Sequence, residues 1–149
     1  MLVNNAAVKL FEASERLFWV TKVAGAHNIL NVVVPRSCAS VLLEGVICMA
    51  QQHETFIGGC GYMGYGNVHF SVFPVDDERR DPLPIDLFAF GLGFGGATSG
   101  EHEIGRDKQG PYLALTDPAL VGLQRRVKQV LDPRQLLNPY QLIDERPTL

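Results

Sequence analysis

His69 stands in the run Asn67-Val-His-Phe-Ser-Val-Phe73, which alternates polar and apolar residues. On a strand this sends Asn67, His69 and Ser71 to one face and Val68, Phe70 and Val72 to the other. One face then belongs to a core and the other is polar. An imidazole between an amide and a hydroxyl can ligate a metal or carry a proton, although a single strand histidine is more often a hydrogen-bonded structural group. A second cluster, Ser99-Gly-Glu101-His102-Glu103-Ile-Gly105, adds a carboxylate and another imidazole. Neighbouring side chains diverge on a strand or a helix, so Glu101 and His102 are not expected to bind one metal together. They suit two adjacent tasks, one holding an ion and one moving a proton. The plain alternative is a solvated polar loop.

Other chemical motifs fail on context. Gly59-Cys-Gly61-Tyr-Met-Gly64 spells GxGxxG, but a dinucleotide loop must open a helix, and these glycines lead into the strand at Asn67. A turn between strands, or a loop that lets a ligand approach the backbone, fits better. His53-Glu54 does not begin HExxH, and no serine sits in a GxSxG elbow. Arg125, Arg126 and Lys128 lie in the C-terminal half of a helix, where cations suit the dipole.

The elements that must position these groups run α-β-α-β-β-α-α. A first helix spans about Asn5 to Ala24, with Leu10, Ser14, Leu17, Phe18 and Thr21 at helical spacing and Gly25 as its stop. The β-branched run Ile29 to Val34 reads as a strand ending at Pro35. A second helix covers about Cys38 to Gln52, with Ser37 as N-cap and Val41, Leu42, Val46 and Met49 as its buried face. A short strand at Thr55 to Gly58 precedes a glycine-rich turn from Gly58 to Gly66. After the strand at Asn67 come a charged loop, Asp76 to Asp81, a short helix over Pro84 to Phe94 weakened by Gly91 and Gly93, and a polar stretch from Gly95 to Gly110. The final helix is the best marked. Asp117 caps it, Pro118 opens it, Leu120, Leu123, Val127, Val130 and Leu131 form an apolar stripe, and Asp132-Pro133 ends it. This order predicts an α+β fold: an antiparallel sheet with helices on one face, a ferredoxin-like half-unit, followed by a C-terminal helix and tail.

The totals narrow the function classes. A chain of 149 residues suits one domain, and 46% hydrophobic content needs no metal or disulfide staple. A net charge of −3 argues against nucleic acid and anionic membranes as partners. No apolar run reaches the roughly 18 residues of a membrane span, and the N-terminal run does not read as a signal peptide. The three cysteines, Cys38, Cys48 and Cys60, form no CxxC pair and read as reduced thiols in a cytoplasmic protein, Cys38 and Cys48 in the core.

Taken together, three ordered stretches resemble one family. Gly61-Tyr-Met-Gly-Tyr-Gly-Asn67-Val-His69 resembles the GHxGDGNxH motif of the FAD-linked oxidases, which include the glycolate oxidase large subunit, D-lactate dehydrogenases and D-2-hydroxyglutarate dehydrogenase. Gly95 to Gly105 resembles the family's GGxxSGEHGIG, and Leu131-Asp-Pro-Arg-Gln-Leu-Leu-Asn-Pro139 its LDPxxILNP terminus. Val34-Pro35-Arg36-Ser37 fits a VPRS segment before a helix, so the likeness covers about Phe11 to Leu142. It implies that the chain is the family's C-terminal domain, with a cap portion over 1–80 and a helical portion over 81–149. A separate N-terminal domain, with no counterpart in this sequence, would bind the FAD. The family oxidises a 2-hydroxy acid to a 2-oxo acid: a base takes the hydroxyl proton, a divalent metal polarises the oxygen, and hydride passes to flavin. By residue, the resemblance makes His69 and Glu101 metal ligands and His102 the catalytic base. It places Asn67 near flavin and substrate and Asn138 near the flavin.

The sequence also departs from the family. Tyr62 stands where the motif has another metal-ligating histidine, Tyr65 replaces its Asp, and Glu103 replaces a Gly. Lys22 stands about where an Arg holds substrate carboxylate, and Lys lacks the bidentate fork. A neutral phenol is a poor ligand for a hard divalent ion, so the expected metal site is weakened. Two functions follow from different classes. One is the C-terminal domain of a flavin-dependent 2-hydroxy-acid oxidoreductase, not competent alone and partnered by an FAD-binding domain. The other is a non-catalytic α+β module of the same descent that binds a small acid or a protein. Either is expected to self-associate through its uncovered apolar surface.

Overall fold

The computed structural model describes residues 4–73 and 82–143, apart from a few side chains of the first helix. The charged loop expected over Asp76 to Asp81 lies outside them, as do the side chains of Ser14, Leu17 and Phe18. The described elements are α1 (Asn4–Val23), β1 (Asn28–Val33), a 3-10 turn (Arg36–Cys38), α2 (Ala39–Gln52), β2 (Ile57–Tyr62), β3 (Asn67–Val72), α3 (Pro82–Gly93), α4 (Gln109–Leu115) and α5 (Pro118–Leu131). None of these helices is long and apolar enough to cross a membrane.

The sheet has the order β1-β3-β2, and β3 pairs antiparallel with both neighbours. β1 and β2 are therefore parallel, joined by α2, with β3 inserted between them: a split βαβ unit and the expected α+β arrangement. The core lies on one face. Leu30 and Val32 of β1 and Val68, Phe70 and Val72 of β3 pack with Ala39, Leu42 and Val46 of α2 and Leu83, Leu87 and Phe88 of α3. Gly91 has a packing reason for sitting in α3: a Cβ there would lie 2.3 Å from Val32 Cγ1. The helix can approach the sheet closely because that side chain is missing. His53 Nε2 meets Asp86 Oδ2 at 2.9 Å and ties the end of α2 to α3.

Several expectations are corrected. β2 runs through Tyr62, so Gly58, Gly59 and Gly61 are strand residues and the turn is confined to 63–66. Glycines carry no apolar alternation to read, which hid the strand's continuation past Gly58. The 3-10 turn absorbs Ser37, leaving Cys38 at the N-cap of α2 with no side-chain cap. On α2, Leu42 and Val46 are buried and Met49 packs at their edge, but Val41 is exposed because its angle points off the sheet. Cys48 is exposed and Cys38 half-buried, so neither is fully in the core. α4 was not anticipated: its Gly110 and Pro111 read as breakers, and no side chain caps it. In α5, Asp117 accepts a hydrogen bond from Ala119 N at 2.7 Å, as its spacing predicts. The apolar stripe it was expected to bury is exposed, and Val121 is buried instead.

Candidate active site

The strand register builds the floor of the site. Asn31 of β1 and Cys60 of β2 are the partners of His69, while Val33 and Tyr62 are the partners of Asn67. Directly paired residues share a face, so Asn31, Asn67, His69, Cys60 and Tyr62 all lie opposite the core. This polar face is not open to solvent: Asn67, His69 and Ser71 are buried, as is every other residue of β3. Near the end of α1, Thr21 reaches this face and accepts from Ser71 Oγ at 3.1 Å.

The cover comes from the turn after α3. Val33 and Ala97 exchange two backbone hydrogen bonds, at 2.9 and 2.8 Å, and pin the turn to one end of β1. At the other end Lys108 Nζ donates to His102 O at 3.2 Å and Ile29 O at 3.4 Å. Between these anchors Gly100 sits on the amides of Asn31 and Asn67. A Cβ on Gly100 would lie 2.6 Å from Asn31 Oδ1 and 2.7 Å from Asn67 Oδ1. Only a glycine lets the turn lie this low, and the low turn carries Glu101 and His102 over His69.

The result is a three-residue cluster. His69 Nε2 and Glu101 Oε1 are 3.0 Å apart, and His102 Nε2 is 3.9 Å from the same oxygen. The imidazoles of His69 and His102 meet edge to face with centroids 4.6 Å apart. One donor atom from each of the three lies within 4.8 Å of the others. The expectation that Glu101 and His102 must diverge is therefore corrected. They sit in an irregular bend, with Glu103 at φ 25°, where the geometry of strand and helix does not apply.

Burial pushes the His69 imidazole below its ordinary pKa, His102 adds to this, and Glu101 opposes it. A neutral ring is the form that can ligate a metal. Burial raises the Cys60 thiol, so it stays protonated beside His69 and is no thiolate ligand. Burial also lowers the Lys108 ammonium against the pull of Asp107 and Glu103.

Two imidazoles and a carboxylate this close suit a divalent ion of zinc or manganese type. Two further atoms bear on that fit. Asn31 Oδ1 and Asn67 Oδ1 are buried without a hydrogen-bond partner among the described residues. Tyr62, the residue expected to weaken the site, edges onto His69 with ring centroids 6.1 Å apart.

A groove of about 360 Å³ opens over the cluster, walled by Trp19, Ile29 and Tyr62 and ending at His69, Glu101 and His102. Lys22 does not line it. It lines an adjoining cleft with His27, Arg106 and Lys108, which meets the groove at Glu101 and His102. Asn138 is in a third cleft with Ser99, Glu103, Tyr112 and Gln124. Thus His69, Glu101 and His102 come together, Asn67 lies beneath them under Gly100, and Asn138 stands apart. Asn31 and Lys108 were missed. Asn31 carried a signal: a lone amide inside an apolar strand needs a buried partner. Lys108 sat in a stretch read only as polar.

The fold and the cluster define an α+β unit that holds a histidine–carboxylate site against a sheet. The family model of FAD linked oxidases, C-terminal domain, matches residues 3–142, and the chain belongs to that family. It is similar to an FAD-linked oxidoreductase of Mycobacterium tuberculosis (strain H37Rv), 42% identical over 139 residues, covering 93% of this chain and 30% of the relative. It is similar to glycolate oxidase subunit GlcD of Escherichia coli K12, 28% identical with the same two coverages. It is also similar to mitochondrial D-2-hydroxyglutarate dehydrogenase of Rattus norvegicus, 31% identical over 90 residues, covering 59% of this chain and 17% of the relative. The chain thus spans less than a third of the length of these relatives.

Proposed function

We propose that this segment is the substrate-holding half of a flavin-dependent dehydrogenase that oxidises a small 2-hydroxy acid. The observation that carries it is the cluster of His69, Glu101 and His102, with donor atoms within 4.8 Å, at the end of a groove sized for a small acid. His69 and Glu101 are the residues that would hold a divalent ion, which when bound lowers the pKa of the substrate hydroxyl. His102 is the base: its ring is half-exposed to the groove, and its Nε2 can take the hydroxyl proton while Glu101 stabilises the imidazolium. FAD supplies the hydride acceptor when bound. Most of the surface that holds the dinucleotide would come from an FAD-binding domain. This chain would add Asn138 toward it, while Asn67, buried beneath Gly100, would support the turn that carries Glu101 and His102. Relatives named as a glycolate oxidase subunit and a D-2-hydroxyglutarate dehydrogenase support the 2-hydroxy-acid class.

The second reading, a non-catalytic module that binds a small acid, rests on Tyr62 in the site. Nuclear magnetic resonance on the chain with zinc and glycolate tests the first. Glycolate should shift the His69 and His102 ring signals only when zinc is present, and Glu101→Ala should abolish the effect. Glycolate shifts that need neither zinc nor Glu101 favour the binding module. No shift under any condition overturns the proposal.

A further inference from the structure

Asn31 is the most consequential group that the proposed chemistry leaves unused. It is 1% exposed, it is the strand partner of His69, and its Nδ2 donates to His69 Nδ1 at 2.6 Å. In this amide orientation the hydrogen bond sets the tautomer. With Nδ1 accepting, the ring proton must sit on Nε2, where it meets Glu101 Oε1 at 3.0 Å. In this arrangement His69 cannot ligate through Nε2, because the lone pair it would use holds a proton. The arrangement also leaves Asn31 Oδ1 and Asn67 Oδ1 buried and unpaired. Buried amide oxygens in a well-packed sheet are normally satisfied.

Both defects have one remedy. The two orphaned oxygens crowd the same spot, the missing side chain of Gly100. A half-turn of the Asn31 amide exchanges its oxygen and nitrogen. Oδ1 then faces His69 Nδ1 as an acceptor, and Nδ2 takes the former place of Oδ1 under Gly100, the spot that Asn67 Oδ1 also faces. For this to be favourable the ring proton must move from Nε2 to Nδ1, with no change in the charge of the ring. Nε2 then turns a bare lone pair toward the Glu101 carboxylate, which is repulsive unless a cation lies between them.

We propose that Asn31 is a positioning residue with two amide orientations, one for the cation-free site and one for the cation-loaded site. In the first it donates to Nδ1 and parks the proton on Nε2. In the second it accepts from Nδ1–H, frees Nε2 as a ligand and puts a donor in the spot that Asn67 Oδ1 faces. The two orphaned oxygens are thus the partners reserved for the loaded state. The inference rests on the reading of His69 and Glu101 as cation ligands, and it deepens that reading by naming the group that switches the ligand on. Partners of this kind commonly orient metal-bound histidines and set their basicity.

The test is ¹⁵N NMR of the His69 ring in the 149-residue chain, with and without zinc, together with calorimetric zinc titration. Wild type should show Nε2–H without zinc and Nδ1–H with zinc. Asn31→Asp, which can only accept, should protonate Nδ1 before any zinc is added. Asn31→Leu, which can do neither, should weaken zinc by about 10–100-fold. Loss of folding in Asn31→Leu leaves the wild-type and Asn31→Asp spectra to decide. Nε2–H retained in zinc-saturated wild type, Nδ1–H in zinc-free wild type, or Nε2–H alone in Asn31→Asp would each overturn the proposal. If zinc binds no form, the cation reading fails on its own, and the zinc-free spectra of wild type and Asn31→Asp still decide whether Asn31 sets the tautomer.

Discussion

His69 Nε2 and Glu101 Oε1 stand 3.0 Å apart although β3 and Glu101 are separated in the chain by helix α3 and the turn that follows it. The contact exists because Val33 and Ala97 clamp that turn to β1 and Gly100 lets it settle. The site is therefore a property of the β1–β3 pair and its cover, not of any local motif.

The first prediction concerns Tyr62. A free phenol has a pKa of about 10, so holding it as a phenolate ligand at pH 7 costs about 4 kcal/mol. Wild type should bind zinc weakly, with only His69 and Glu101 as its protein ligands. Tyr62→His, whose side chain enters from the same strand face, should tighten binding by at least about tenfold. Calorimetry checks this. Tight stoichiometric zinc on wild type, lost in His69→Ala, would show that Tyr62 does not disable the site.

Gly100→Ala should destabilise the fold by about 1–3 kcal/mol, because the amides that meet the new methyl are buried and have little room to move. The neighbouring change Ser99→Ala should cost little, since its hydroxyl makes only a 3.4 Å contact to Gly100 O. Urea unfolding compares them. Equal stability of Gly100→Ala and wild type would mean that the turn does not rest on Asn31 and Asn67.

How much of this the sequence revealed depends on how each group is encoded. β3 was legible because its alternation is clean, and α5 because Asp117-Pro118 is a strong start signal. Of β2 only the start, at Ile57 and Gly58, was legible, since its later glycines present no side chains, and α4 was not, because its Gly110 and Pro111 mimic a loop. In the site, His69, Glu101 and His102 stood out by type and by family likeness. Their convergence depends on the Val33–Ala97 bridge, a long-range backbone pairing that no local pattern announces. Asn31 carried a signal, a single amide inside a β-branched run, but nothing local tells that its buried partner is His69.

Asp132 gives a pH-dependent prediction. Its carboxylate accepts from Lys128 Nζ at 2.6 Å, Leu137 N at 2.9 Å and Leu136 N at 3.0 Å, so it ties the tail to the end of α5. The Lys128 ammonium, then the Leu137 amide, hold its pKa down at about 2. A carboxyl depressed in the folded state stabilises above its unfolded pKa of about 3.9, and the contribution is lost as pH falls through about 2. Asp132→Asn should flatten this acid limb between about pH 4 and pH 2 and loosen the tail near Leu137. Thermal melting across that range, with amide exchange at Leu136 and Leu137, checks both effects. Parallel acid limbs in the two proteins would count against it.

The last prediction concerns the outer surface of α5. Val130 and Leu131 are 78% and 76% exposed, Leu120, Leu123 and Val127 are about half exposed, and Leu136 and Leu137 extend the strip into the tail. A contiguous apolar patch of this kind marks a surface that binds something. The matched relatives carry most of their length outside this segment. In the 149-residue chain the strip should bind a hydrophobic dye and drive concentration-dependent self-association through a symmetric contact. Val127→Glu with Val130→Glu should suppress both. Because the two side chains already face water, the melting temperature of the dilute protein should hardly change, as surface substitutions usually stay within about 0.5 kcal/mol. Light scattering across the micromolar range and dye fluorescence give the two readouts. A strictly monomeric, dye-silent wild type would mean that the strip is covered in solution by residues outside those described, and the prediction would fail.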